Sequence, residues 1–355
     1  LRCRIEPPLK KPLTMAIEEH RAKNFTHHEI RARGAVGNLA EGAENRTHGV
    51  RTRMIAWPGN GYITEAVHVL TLSPGESSTH YTYDLAEEAM LCFQGSGEAL
   101  VRGQWVTIKP GDLAYFPEGV EHAVRNPADS ERDLILVTQI SPPQLDLYVD
   151  GGFYHKQLGV MNFEAIRKAT FNAHPAQLSK TLEMGYHDTH PEVRPWSLTP
   201  EEVRSGGALF NVYSGAEFSG IGVGPMRLVL WPGAGTQRCG FNYTYVAADV
   251  PDVAHYHPAS DECLILWAGR AQAFVGDRWI DLEPLDVVLA PCGVMHGHRS
   301  HQPTFFGGFA SPPQHDLLVN TPYYSDGKVK PAPYVQIRGE DCVGYDGFKP
   351  GDVST

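Results

Sequence analysis

Apolar residues occur along this chain in short runs separated by glycine, proline and aspartate. The first half contains MLCF, EALV, WVTI and LAYF, and the second half contains CLILW, AQAFV, WIDL and VVLA. Short apolar runs between turn residues are typical of β-strands, and many of them at close spacing favour a sandwich or a small barrel. The pattern therefore predicts an all-β protein.

The chain also contains an internal repeat. A shift of 174 positions places residues 57–59 on 231–233, both Trp-Pro-Gly, and brings Glu88 onto Glu262. Residues 141–144 recur at 311–314 as Ser-Pro-Pro-Gln, at a shift of 170. A constant shift through so many tryptophan, proline and glycine positions indicates a duplicated unit, and a duplicated β-unit predicts two tandem barrels.

The repeat divides the chain into four predicted parts. We expect a first barrel over residues 35–150, a linker over 151–206, a second barrel over 207–325 and a polar, turn-rich tail over 326–355. The linker contains FEAIRKATF and the sequence Leu-Thr-Pro-Glu-Glu at 198–202. A threonine before proline is a signal for a helix N-terminus, so the linker is expected to hold short helices.

Composition narrows the class of protein further. The 36 glycines and 27 prolines suit many tight turns, and the formal charge of −11 is spread without a basic stripe, which argues against a nucleic-acid partner. No run approaches the length of a membrane span, and the opening residues lack the apolar middle of a secretory signal. These features predict a cytoplasmic protein without a membrane partner. The six scattered cysteines predict buried free thiols.

Four metal-ligand side chains come together in the second repeat. His255 and His257 in AHYHPASDE are one residue apart, so on extended backbone both imidazoles point to the same face. Glu262 follows after a turn, and His296 returns from a later hairpin marked by proline and glycine. Three imidazoles and one carboxylate suit iron, manganese, nickel, copper or zinc better than calcium or magnesium, and leave coordination positions open to substrate.

These residues carry a resemblance to a known family. HYHPASDE followed by ILWAG, and then LDVVLAPCGVMH, resemble the two sequence motifs of the cupin superfamily, although Asp249 and Leu285 stand where those motifs open with glycine. The resemblance implies two double-stranded β-helix (jelly-roll) barrels, that is a bicupin. It also implies a divalent metal, Fe(II) or Mn(II) first, held by His255, His257, Glu262 and His296.

The first repeat keeps the frame of these motifs but changes the ligands. Tyr81 and Tyr83 occupy the positions of His255 and His257, and the nearest imidazole, that of His80, is one place out of register. One place on a strand means the opposite face. Either the first barrel has no metal, which we favour, or a bulge brings His80 to Glu88 and His122.

The expected activity is that of a metal-dependent dioxygenase that cleaves a small phenolic or enolisable substrate. Glu262 is expected to act in catalysis as well as in ligation, and His298 is a second candidate catalytic residue. We also expect half of an aromatic group to face inward and form a cavity around the metal, while each ring taken singly is more typical of the barrel core. This group is Tyr245, Trp267, Phe274 and Trp279.

Two other activities fit the same residues. A metal-dependent hydrolase, decarboxylase or isomerase of a small organic acid would resemble ureidoglycine aminohydrolase or oxalate decarboxylase. A non-catalytic binding protein would resemble seed bicupins, but an intact ligand set in one repeat alone argues against drift without selection. In each case the expected partners are a small molecule and further copies of the same chain.

Overall fold

The structure is a computed structural model that describes residues 17–219, 225–246, 248 and 254–313, with two short strands at 324–325 and 328–329. Most of the predicted tail, residues 326–355, therefore lies outside the described residues. No helix within these ranges is long and apolar enough to cross a membrane. The predicted cytoplasmic location stays a prediction.

The first repeat and the linker contain twelve of the described strands. They are β1 (Ala35–Asn38), β2 (Glu44–Thr47), β3 (Val50–Ala56), β4 (Ala66–Leu72), β5 (Glu87–Gln94), β6 (Gly97–Val101), β7 (Gln104–Ile108), β8 (Asp112–Phe116), β9 (Val124–Arg125), β10 (Leu134–Ser141), β11 (Tyr154–His155) and β12 (Val160–Met161).

The second repeat and the chain beyond it contain the other described strands. They are β13 (Ala208–Asn211), β14 (Ala216–Ser219), β15 (Pro225–Leu230), β16 (Gly240–Val246), β17 (Asp261–Ala268), β18 (Ala271–Val275), β19 (Arg278–Leu282), β20 (Asp286–Ala290), β21 (His296–Arg299), β22 (Thr304–Ser311), β23 (Tyr324–Ser325) and β24 (Lys328–Val329).

Each repeat folds into a barrel made of a seven-stranded and a three-stranded antiparallel sheet. In the first barrel the orders are β13-β8-β5-β10-β4-β3-β2 and β7-β6-β9. In the second barrel they are β1-β20-β17-β22-β16-β15-β14 and β19-β18-β21. The equivalent strands stand in equivalent places, so the predicted pair of tandem cupin barrels is confirmed.

The two barrels exchange an edge strand. Strand β13, which opens the second repeat, pairs with β8 of the first barrel through the contact of Ala208 with Tyr115. Strand β1, at the start of the first repeat, pairs with β20 of the second barrel. Each large sheet is therefore completed by the other repeat, a feature that the predicted bounds at 35, 150 and 207 do not include. Those bounds stay predictions.

The linker is helical where the sequence predicts it. Helix α1 (His27–Arg33) precedes the first barrel, and the linker holds α2 (Phe163–Phe171) and α3 (Pro200–Gly206). The side chain of Thr199 accepts a hydrogen bond from the backbone N–H of Glu202, whose carboxylate accepts one from the backbone of Thr199. This capping box satisfies two of the N–H groups that every helix start leaves free.

The largest apolar core lies between the barrels. The large sheets pack face to face there, and the rings of Phe93 and Trp267, one from each barrel, are 5.6 Å apart. Each barrel also has its own interior cluster, which holds Met90 and Phe116 in the first and Leu264 and Val288 in the second. Alternate residues of one strand therefore face the other barrel and the barrel interior.

Buried thiols contribute to both kinds of core. Cys92, Cys239 and Cys263 are free and buried, as predicted, and Cys292 is free and half-buried. Cys3 and Cys342 lie outside the described residues.

Candidate metal centre

The backbone around His255 pairs with the strand that carries His296. The N–H of each of these residues donates to the carbonyl oxygen of the other, at 2.8 Å in both directions. The N–H of Gly293 donates to the carbonyl of His257 at 2.9 Å. This pairing is a single bridge and not a long strand, but it places His255 against β21 and His257 against the turn that precedes it. Tyr256, between them, points outward and is 54 % exposed.

The four predicted ligands converge on one point. One ligand atom from each of His255, His257, Glu262 and His296 lies within 4.8 Å of all the others. Glu262 Oε2 is 2.7 Å from Nε2 of His296 and 3.2 Å from Nε2 of His257. The last three side chains are buried and His255 is half-buried. The group is therefore enclosed on the side of His257, Glu262 and His296 and partly accessible to solvent at His255.

Neighbouring groups fix the charge and orientation of these ligands. Burial by itself raises the pKa of Glu262, but the imidazoles of His257 and His296 outweigh it and hold this pKa well below its usual range. Nδ1 of His296 is 2.9 Å from the carbonyl oxygen of Val294, so it carries the proton and leaves Nε2 free to ligate. Glu262 is therefore ionised, and its Oε2 faces Nε2 of His296 at 2.7 Å.

The donor set fits a divalent metal. Glu262 Oε2 and His296 Nε2 are sealed from solvent, and within the described part of the chain no hydrogen bond satisfies either atom. Such a buried pair is costly unless a further group compensates it. One carboxylate and three imidazoles closing on a common point match the ligand types of zinc, iron, manganese, copper and nickel sites.

The equivalent place in the first barrel is filled by hydrogen bonds. Tyr81 donates to Glu88 Oε2 at 3.0 Å, Thr138 donates to Oε1 at 2.7 Å, and Nε2 of His122 lies 3.0 Å from Oε2. The backbone bridge between Tyr81 and His122 repeats the one between His255 and His296. Glu88 is therefore satisfied by the protein itself.

His80 does not join this group. Its side chain is half exposed, and Nδ1 lies 3.5 Å from Glu121 and not near Glu88. In the described ranges, the only cluster of three or more metal-ligating side chains is the one in the second barrel. The structure therefore does not bring His80 to Glu88. That the first barrel has no metal stays a prediction.

The predicted catalytic residue His298 faces the interior of the second barrel. It lies two residues beyond His296 on β21, so the two side chains share a face, and its ring stacks on Phe306 with centroids 4.6 Å apart. It is buried, with 7 % of its surface exposed.

The prediction of an aromatic cavity around the metal is wrong. Trp267 and Tyr245 pack in the core between the barrels. Phe274 and Trp279 pack against each other at 5.5 Å, on the face of their sheet opposite the interior residues Ala273 and Val275. Alternation along each strand turns these rings away from the ligands, which sequence spacing alone could not reveal because both strand faces are covered.

Sequence reasoning also missed Asp261, which precedes Glu262 and is fully buried. Its carboxylate accepts hydrogen bonds from the N–H groups of Ile63, Thr64 and Cys292, and Arg31 forms an ion pair with it. The one available signal was its repeat partner Glu87, an acidic residue at the same place.

A separate cavity of about 610 Å³, lined by none of the four ligands, lies between α1 and α2. Phe25, Trp57 and Phe163 line it with the basic residues Lys23 and Arg167. Among the described residues that line it, no sealed polar side-chain atom lacks a partner. Nothing in its lining therefore points to a particular ligand.

Comparison with known proteins supports the fold. The model of the Cupin domain family matches residues 68–138, from β4 to β10 of the first barrel. No curated protein matches the sequence of the chain. Protein Ylba from E. coli is similar in structure, with a TM-score of 0.52 and 9 % identity, over 79 % of this chain and 91 % of that one.

A second similar structure is that of a putative glyoxylate induced protein from Pseudomonas aeruginosa. Its TM-score is also 0.52, with 14 % identity over 79 % of this chain and 88 % of that one. Both likenesses extend over most of the two barrels.

Proposed function

We propose that this chain, which has the fold of two tandem cupin barrels, is a bicupin whose second barrel is the active site of a metal-dependent enzyme acting on a small, enolisable organic anion. The observation that carries the proposal is the convergence of His255, His257, Glu262 and His296 within 4.8 Å, a cluster found among the described residues in the second barrel alone. The equivalent carboxylate of the first barrel is already satisfied by Tyr81, Thr138 and His122.

The proposed ligands would hold a divalent metal, Mn(II) or Fe(II) first. When bound, such an ion polarises substrate oxygens as a Lewis acid and stabilises an enolate. Together with one carboxylate and neutral imidazoles, a divalent ion leaves the site with one net positive charge. The charge balance supports an anionic substrate, because an anion neutralises that charge in a buried place.

Three histidines of the second barrel have separate roles in this proposal. The Val294 carbonyl keeps the His296 ring in one orientation, so this ligand needs no rearrangement. His298 faces the same interior and is the group we assign to exchange a proton with the substrate. Burial of His257 and His296, 2 % and 1 % exposed, excludes water from their side of the site.

Two reaction classes fit this arrangement equally. Four protein ligands leave up to two positions in a six-coordinate site, enough for one substrate oxygen and dioxygen, or for two substrate oxygens. The first case is the oxygen-dependent cleavage expected from the sequence, and the second is a decarboxylation, isomerisation or hydrolysis.

Metal analysis and oxygen uptake test the proposal together. The purified protein is stripped with EDTA, reloaded with Mn(II) or Fe(II) and measured by elemental analysis. We expect about one ion per chain, lost in Glu262→Gln but kept in Glu88→Gln. Acetoacetate, oxalate and gentisate are then offered with and without oxygen.

The outcomes separate the alternatives. Turnover with stoichiometric oxygen consumption identifies a dioxygenase, and turnover under strict anaerobiosis identifies the non-oxidative class. Metal binding without turnover of a broad set of organic acids would favour a binding protein. A protein that takes up no metal would overturn the proposal.

A further inference from the structure

The interior of the first barrel shows which positions line the site of the second, because the two barrels share one register. In the first barrel, Glu88 and His68 line the same small cavity with Thr138 and Ile140. Strand β10 pairs Thr138 with His68 and Ile140 with Glu88.

The same pairs occur in the second barrel with different side chains. Strand β22 pairs Gly308 with Asn242, and Ala310 with Glu262. The positions that share a cavity with Glu88 therefore correspond to Asn242, Gly308 and Ala310 beside Glu262.

The second barrel has lost the side chains that fill the first one. In the first barrel, the cavity beside Glu88 and His68 has a volume of only about 10 Å³, enough for one water molecule. Ala310 replaces Ile140, which packs against the ring of Tyr83 in the first barrel. Gly308 replaces Thr138, so the hydroxyl that binds Glu88 has no counterpart at Glu262. A strip without large side chains therefore runs from Glu262 to Asn242.

The neighbouring backbone leaves room only for glycine at position 308. A Cβ atom there would overlap the carbonyl oxygen of Cys263 on the neighbouring strand. The strip therefore cannot be refilled at this position without moving β17.

Asn242 carries a polar group at the far end of the strip. Its side chain is buried with 8 % of its surface accessible. Its chain neighbours Phe241 and Tyr243 pack in the core between the barrels, so Asn242 faces the barrel interior. Its counterpart His68 is bonded to Tyr148 at 3.2 Å. An amide at this inward position presents an N–H donor and a carbonyl acceptor to a molecule that lies along the strip.

We propose that Asn242 is a substrate-binding residue that donates a hydrogen bond to a carbonyl or carboxylate oxygen of a small organic anion, whose other end lies at the four metal ligands. The anion lies over Gly308 and Ala310. The described interior positions of β16, β17, β21 and β22 include no lysine or arginine. The substrate oxygen at the end away from the metal ligands therefore contacts the neutral amide of Asn242. The negative charge of the anion is balanced at the metal. This inference rests on the proposed function, because it places the substrate beside the same ligands.

A matched pair of ligands tests the role of Asn242 by binding alone. Acetoacetate and butyrate have the same chain length and charge and differ in the keto oxygen. Isothermal titration calorimetry with the Mn(II)-loaded protein gives the affinity for each. In Asn242→Ala we expect acetoacetate to bind about tenfold more weakly, the effect of one lost hydrogen bond, while butyrate changes by less than about twofold. Elemental analysis should give the same metal content as in the wild type.

Two further variants serve as controls. Ala310→Val narrows the strip and should weaken both anions while the metal is retained. His68→Asn makes the equivalent change in the first barrel and should leave both affinities within about twofold of the wild type. Circular dichroism and thermal unfolding establish that each variant is folded.

The results distinguish this inference from the proposed function. A Mn(II)-loaded wild type that binds acetoacetate, with an unchanged preference over butyrate in Asn242→Ala, would overturn the role of Asn242 and leave the metal enzyme standing. A wild type that takes up Mn(II) but binds neither anion counts against the inference too. A wild type that takes up no Mn(II) overturns both.

Discussion

The carboxylate of Asp261 accepts a hydrogen bond of 2.8 Å from the backbone N–H of Cys292. Asp261 precedes the candidate ligand Glu262, and Cys292 begins the turn that leads to His296. The same carboxylate binds the N–H groups of Ile63 and Thr64, which belong to the other barrel. One buried acid therefore fixes the spacing of two ligand-bearing segments and joins them to the neighbouring barrel.

The first barrel contains the equivalent contact, made by the repeat partner of Asp261 to the second barrel. Glu87, the repeat partner of Asp261, accepts hydrogen bonds from the backbone N–H groups of Gln237, Arg238 and Cys239 in the second barrel. Two reciprocal acids therefore hold the barrels together. The contact of Ser141 with its repeat partner Ser311 lies between them and joins the two copies directly.

Asp261→Asn is expected to weaken both folding and metal binding. An amide cannot replace a carboxylate that accepts three N–H groups and pairs with Arg31, so the free energy of unfolding should fall by about 3 kcal/mol. Loss of the bond to Cys292 should lower Mn(II) affinity by about tenfold, as for other groups that orient ligands. Urea unfolding and metal titration measure the two effects.

Glu87→Gln is the matched control for that variant. It breaks the reciprocal contact and should also destabilise the protein, but Mn(II) affinity should stay at the wild-type value because Glu87 flanks no ligand. An equal loss of metal affinity in both variants would show that Asp261 acts only through stability.

His257→Ala is expected to abolish stoichiometric metal binding. Removal of one of the proposed ligands leaves an incomplete set whose affinity no longer survives dialysis. His122→Ala removes a buried histidine from the first barrel, where Glu88 is already bonded to tyrosine and threonine, and should leave metal content unchanged. If His257→Ala retained the metal and His122→Ala lost it, the ion would lie in the first barrel, and the proposed site in the second barrel would be contradicted.

Added Mn(II) is expected to raise the melting temperature of the metal-free wild type. Binding to the folded state alone at 100 times the dissociation constant stabilises it by about 2.7 kcal/mol, which for a chain of this length corresponds to a rise of roughly 3 to 4 °C. Differential scanning fluorimetry with Mn(II), and with Mg(II) as a control for ionic strength, measures this shift. Glu262→Gln should show no rise with Mn(II).

His68 is expected to make the protein less stable in mild acid. Burial lowers its pKa from 6.5 to about 4, so the folded protein keeps this imidazole neutral where the unfolded chain is protonated. The stability is present in full above pH 6.5 and is lost as the pH falls towards 4. The slope in that window is about 1.4 kcal/mol per pH unit.

Urea unfolding of the wild type and of His68→Asn at several pH values between 7 and 4 measures this contribution. The variant should lose less stability than the wild type across the window, because asparagine does not titrate. Parallel curves for the two proteins would show that His68 is not the titrating group.

The sequence determined much of the site because duplication is recorded in the spacing of residues. The shift of 174 positions identified the two barrels, and the HxH pattern with Glu262 and His296 identified side chains that the fold brings together. Thr199 before Pro200 marked the start of α3 for a local reason, because a cap depends on residues only three positions apart.

Other features depend on contacts between residues far apart in the chain. The exchange of β1 and β13 and the inward position of Asn242 follow from strand register, and both faces of the strands β16 and β17 are buried. An apolar pattern on both faces does not distinguish the barrel interior from the surface that packs on the other barrel. For that reason the sequence identified the metal ligands, while only the tertiary structure decided where Trp267 and Tyr245 point and what surrounds the ligands.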